Sequence, residues 1–279
     1  MAVKSKQKAK PSPTLLSHYS TLHGLSGVVS DGKIWASNVS FLNDHRELEH
    51  GIDATFAALA TMQTDGPPGV WAKPLEAAEK ALRAGKVPDT YAACFCESSD
   101  LLSQWRGYGG QVQGVSISFS RTKLKKALGN VAVLQKVTYC DLTARQKMKA
   151  AIEAQLGSIE NIYELVGLTT DADRKTDAFE AICTLLPRFK HVGFSDEREW
   201  RFVVQGEKAN TPVKYRVSGN VIVPYVELGP GGHGSLPIQK VTIGPGKNQD
   251  LTAKSVTLFL RRHGYPDVKV VKSKVPFRT

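Results

Sequence analysis

No apolar run approaches the roughly 20 residues that a bilayer-spanning helix needs. Met1 to Pro13 is basic and lacks the apolar middle of a secretory signal, so it reads as a disordered arm. Cysteine is scarce: Cys94, Cys96, Cys140 and Cys183 are all there is. Cys94 and Cys96 stand two apart in a strand-like run and face one way, a spacing that suits neither a mutual disulfide nor a C-x-x-C zinc turn. Reduced thiols, a cytoplasmic location and no metal are expected. His50, His191, His233 and His263 show no ligand spacing. A G-x-G-x-x-G after the first strand is missing, which argues against a dinucleotide-binding Rossmann domain. Gly229-Pro230-Gly231-Gly232 is not followed by Lys-Ser/Thr and a helix, so it is no phosphate cradle.

Positive charge is abundant: 37 Lys and Arg face 26 Asp and Glu, a net of +11. This favours an anionic partner, whether nucleic acid, a nucleotide or an acidic protein. Lys4, Lys6, Lys8 and Lys10 lie in the arm, and without them the body is still basic. A length of 279 residues with 41% hydrophobic content supports one core rather than two enzymatic domains. The expected organisation is a basic arm over 1–13 and a single α+β domain over 14–279.

Periodicity places a strand at Leu15–Tyr19, a helix from Ser20 to Val29 capped by Ser20 or Thr21, and a strand over 33–37. Helices follow over 45–62 and 73–84, then strands over 91–96 and 112–119. The stretch 98–110 reads as a loop or short helical turn, 122–128 as a short helix and 131–139 as a strand. Residues 143–193 hold few strand formers and repeat apolar residues every three or four positions, a helical insertion. Strands return over 200–205, 214–217, 221–225 and 241–243. A helix over 251–263 stops at Gly264, and a strand over 268–271 closes the chain. Strands grouped on either side of helices indicate α+β rather than a regular parallel alternation.

Three polar-aromatic islands stand out: His18-Tyr19-Ser20, Ser103-Gln104-Trp105-Arg106-Gly107-Tyr108-Gly109, and Glu197-Arg198-Glu199-Trp200-Arg201. With Asn43-Asp44, Cys94-Phe95-Cys96, Pro224-Tyr225, Gly244-Pro245-Gly246, Ser273 and Pro276-Phe277-Arg278, they resemble in order and spacing the bacterial family catalogued as domain of unknown function 2971. More distantly, the ordered His, aromatic and Glu resemble the ADP-ribosyltransferase superfamily. That resemblance implies a split, antiparallel-rich sheet, NAD as substrate without a metal, a macromolecular acceptor, and a bacterial toxin or phage-defence setting.

The same resemblance assigns roles. His18 would meet a ribose hydroxyl of NAD, which suits a ring with one donor and one acceptor. Ser20 would meet the nicotinamide amide. Tyr19 belongs to the same motif, although alternation turns it to the other face. Trp105 and Tyr108 would form an aromatic plate, and Arg106 and Arg201 would attract phosphate. Glu199 would stabilise charge at the anomeric carbon, with Glu197 orienting or deprotonating the acceptor. The alternatives are structural: Trp105 and Tyr108 anchoring a loop, and an Arg-Glu lattice in which Arg198 and Arg201 neutralise both glutamates. A non-catalytic module that grips nucleic acid through the basic surface and aromatics is the competing function.

Overall fold

The computed structural model describes residues 13–42, 47–64, 69–108, 113–141, 143–167, 169–205, 212–231 and 234–276. The basic arm up to residue 12, Asn43-Asp44, Gly109 and Phe277-Arg278 lie outside the described residues. The elements in chain order are β1 (Leu15–Thr21), α1 (Leu22–Asp31), β2 (Ile34–Asn38), α2 (Glu47–Thr64), α3 (Ala72–Arg83), β3 (Thr90–Cys96) and α4 (Leu102–Tyr108). Then come β4 (Gly114–Ser120), α5 (Arg121–Leu128), β5 (Val133–Lys136), β6 (Thr138–Tyr139), α6 (Ala144–Val166), α7 (Asp171–Leu185) and β7 (Phe189–Lys190). The last are β8 (Glu199–Gln205), β9 (Lys214–Ser218), β10 (Val221–Leu228), β11 (Ile238–Ile243), α8 (Gln249–Arg262) and β12 (Lys269–Lys272). The chain is thus mixed α and β with mainly antiparallel strand pairing. Among the described residues no helix is long and apolar enough to cross a membrane.

The chain divides into two compact units. The first takes the chain up to residue 30, residues 96–126 and residues from 235 on; the second takes residues 31–95 and 127–234. In the first unit β4 is central, with β1 and β11 antiparallel on either side and β12 parallel to β11 through the crossover helix α8. Directly paired residues share a face. Leu16, Val115, Ile117, Phe119, Val241 and Ile243 therefore form one apolar face, and all six are fully buried. The opposite face is hydroxyl-rich: Ser17, Ser116, Ser118 and Thr242 are buried on it, with Ser17 and Ser118 hydrogen-bonded at 2.9 Å.

One joint closes this unit. The Trp105 ring packs edge-on against Tyr19, with centroids 4.8 Å apart. Its Nε1–H donates to Asp100 Oδ1 at 2.7 Å. Asp100 also accepts from the Ser273 hydroxyl at 2.5 Å and from the Lys274 backbone N–H at 3.0 Å. The Tyr19 hydroxyl accepts from the Leu101 N–H at 2.9 Å and donates to the Ser98 carbonyl at 3.2 Å. Gly244 is required here: a Cβ would stand 2.9 Å from the Gly114 carbonyl oxygen and 3.0 Å from the Trp105 ring.

In the second unit β2 pairs antiparallel with β3 and β10, β10 with β9 and β8 with β5, while β8 also borders β3. Helices α2, α3, α6 and α7 share an apolar core that includes Leu59, Leu82, Met148 and Ile182. The helical stretch expected over 143–193 is α6 and α7. Gly167, at φ 72°, ends α6, and a Thr170–Asp173 capping box opens α7. The single strand expected over 131–139 is two, because residues up to Lys136 pair with β8 whereas Thr138 and Tyr139 pair with Phe189 and Lys190 of β7.

Gly244→Ala should destabilise the protein by about 1–3 kcal/mol, as overpacking of a closed joint does. Urea unfolding checks this, and an unchanged midpoint would show that the Trp105 joint has slack.

Candidate functional site

The site is built where α7 runs out. Pro187 ends the helix, and Phe189–Lys190 continues as β7, parallel to β6 with Tyr139 opposite Lys190. Helix α2 fixes this segment by close approach. A Cβ on Gly51 would come within 2.3 Å of the Leu186 carbonyl oxygen, so only glycine fits. The chain then passes through a 3-10 turn (Val192–Glu197) into β8. Arg198 between them is left-handed, at φ 45°, the one non-glycine residue with positive φ among the described residues. That conformation is costly for a residue with a Cβ.

Glu197 and Glu199 both reach Lys190, at 2.7 and 3.2 Å from its Nζ. Arg201 grips Glu199 with two parallel bonds, Nε to Oε1 at 2.7 Å and Nη2 to Oε2 at 2.8 Å. Its third arm donates to the Pro187 carbonyl at 2.8 Å. The Tyr139 hydroxyl accepts from the Glu199 backbone N–H at 2.8 Å. Glu199 and Arg201 are buried, whereas the Glu197 side chain keeps 21% of its exposure.

The two carboxyls diverge. Burial alone would raise that of Glu199, but the charge and hydrogen bonds of Arg201, the charge of Lys190 and a hydrogen bond from Cys94 together hold it at about 2. Burial prevails at Glu197, whose carboxyl is raised even though Lys190 pulls it down. Glu199 is held ionised well below the ordinary carboxylate range, and Glu197 is raised above it.

The predicted residues fall as follows. Glu197, Glu199 and Arg201 meet, and the Arg-Glu lattice is real, though Lys190 takes the place expected of Arg198. His18 is half-buried on β1 opposite Ile117, and Ser20 shares its face opposite Val115. Tyr19 is buried on the other face with Trp105. Trp105 is only 1% exposed, so its ring is a packed anchor and presents no open face for stacking. Arg106 is exposed on α4; the Tyr108 side chain lies outside the described residues. His18 belongs to the first unit and the glutamates to the second. Lys190, Tyr139, Cys94 and Asp100 were missed. A lysine closing the apolar run Leu185-Leu186-Pro187-Arg188-Phe189 was the available signal for Lys190. Asp100 and Ser273 stand 173 residues apart, and nothing local announces their bond.

Residues 104–202 match the profile of a family described as "Protein of unknown function (DUF2971)". The matched stretch begins beside Trp105 and ends just past Arg201, so it contains Tyr139, Lys190 and both glutamates. No curated protein and no solved structure matches the chain.

Glu199→Gln should cost about 3–5 kcal/mol, because it leaves the buried Arg201 without its counter-charge. The wild-type contribution has a defined pH window. A carboxyl lowered on folding stabilises above its unfolded value near 4.5 and loses that effect as pH falls toward about 2. Denaturant titrations between these limits should show the loss in wild type and a flatter curve in the variant. Parallel curves would contradict the assignment.

Proposed function

We propose that this protein is an NAD-dependent ADP-ribosyltransferase-like enzyme acting on a macromolecular acceptor, with Glu197 as its working carboxylate and Glu199 as a fixed structural anion. The observation that carries the reading is a carboxylate pair around one ammonium in which Glu199 is buried in a bidentate arginine grip and Glu197 reaches solvent. Environments that push two neighbouring acids apart are the pattern of acid–base sites. Glu199 is fully engaged by Arg201 and Lys190, so it is occupied in holding Lys190 and the start of β8. Glu197 has solvent access and a carboxyl that burial raises above the ordinary carboxylate value.

In the reaction the bond between the anomeric carbon and the nicotinamide nitrogen breaks, and nicotinamide leaves with the electron pair. A nucleophile of the acceptor forms the new bond to that carbon and gives its proton to Glu197, while the carboxylate charge stabilises the cationic sugar.

Incubation with labelled NAD and a mixture of protein, RNA and DNA acceptors tests the proposal. Wild type should release nicotinamide and label an acceptor. Glu197→Gln should lose at least about 100-fold in turnover, the scale of a lost general base, with its thermal unfolding retained. The acid limb of the pH–rate profile should disappear with it. Full activity in Glu197→Gln, or neither nicotinamide release nor an NAD-dependent thermal shift in wild type, would overturn the reading.

A further inference from the structure

The basic excess of the chain is not spread evenly. The first unit carries 18 Lys and Arg against 4 Asp and Glu, whereas the second carries 19 against 22. All of the net positive charge therefore belongs to the unit built on β1, β4, β11 and β12. Within it, the crossover helix α8 and the strand after it hold six exposed cations. Lys254, Arg261 and Arg262 on α8 and Lys269, Lys272 and Lys274 on and after β12 are all exposed. Only Asp250 and Asp267 are interspersed, and Asp250 is tied to Lys272 at 2.7 Å.

Two ordinary explanations cover part of this. Arginines in the last turn of α8 complement the helix dipole, and lysines on β12, the terminal strand of its sheet, discourage edge pairing. Neither accounts for Lys254 or Lys274, nor for a unit with 18 cations and 4 anions. Concentrated like charge repels itself unless a polyanion neutralises it.

We infer that the edge of the first unit formed by α8 and the terminal strand β12, where Lys269 and Lys272 project from opposite faces of the sheet, is a docking surface for nucleic acid, bound through its phosphates. A membrane surface fits less well. The exposed apolar residues of α8 are Leu251 and Leu258, with Lys254 between them, whereas an interfacial helix presents a continuous apolar face. As a binding surface this stands without the transferase reading. As the identity of the acceptor it rests on that reading, and it then names nucleic acid as the molecule modified.

The test is fluorescence anisotropy, without NAD, on the full chain with labelled single-stranded RNA, single-stranded DNA and duplex DNA over a salt series. Wild type should bind at least one of the three. Arg261→Glu/Arg262→Glu/Lys269→Glu should weaken binding at least about tenfold at low salt and reduce the slope of log affinity against log salt by about 3, one per cation removed. Lys73→Glu/Lys80→Glu/Lys86→Glu makes the same charge change on exposed lysines of the second unit and should have a much smaller effect. Circular dichroism confirms folding, and Arg261→Gln/Arg262→Gln/Lys269→Gln replaces the first variant if reversal unfolds it. No binding by wild type, equal loss in both variants, or binding to phosphatidylserine vesicles in place of nucleic acid would overturn the inference. Because NAD is absent, failure here leaves the transferase reading intact, and failure of NAD turnover leaves this binding result intact.

Discussion

The ion pair between Glu199 and Arg201 is the constraint on which the second unit's site depends. Two charges are removed from water, and their bidentate geometry is what offsets that cost. The consequence reaches outward in steps. Arg201 uses its remaining arm on the Pro187 carbonyl, tying β8 to the end of α7. Glu199 accepts Lys190, so β7 is tied to β8 as well. Lys190 in turn holds Glu197, the one member that meets solvent. The strained Arg198 backbone is the local cost of bending the chain so that both glutamates converge on one ammonium.

Much of this was legible in the sequence. The alternation of Val115, Ile117 and Phe119 became β4, the three-four repeat beyond Thr143 became α6, and Thr21 caps α1 through the Gly24 N–H. Glu197 and Glu199 converge on Lys190 because the 3-10 turn and the left-handed Arg198 bend the chain between them, which their spacing does not announce. Which of the two is buried was not legible, because that depends on Lys190, Tyr139 and Cys94 arriving from other elements. The aromatic island misled for a related reason. Trp105 carries an N–H that seeks a partner, and whether its ring faces a ligand or the core is decided by Tyr19, Asp100 and Gly244, none of which is its neighbour in sequence.

The first unit shows how packing can account for a motif. Trp105, Gly244 and Ser273, scattered over the chain, converge on a single joint through Asp100. Such residues would be retained for closure of the unit whatever its activity. Packing does not account in the same way for the basic group on α8 and β12, since Lys254, Arg261, Arg262, Lys269, Lys272 and Lys274 are exposed. Function is therefore better sought at Glu197 and at the basic face than at the buried tryptophan.

The central claim is that one lysine and one arginine divide two neighbouring glutamates into a permanent anion and a titrating group. Carbon-detected NMR of the two side-chain carboxyls over a pH series measures this directly. The account predicts one resonance that moves only as pH nears about 2, and a second that titrates above the ordinary value of 4.5 and is removed by Glu197→Gln. Two carboxyls titrating together near the ordinary value would contradict it.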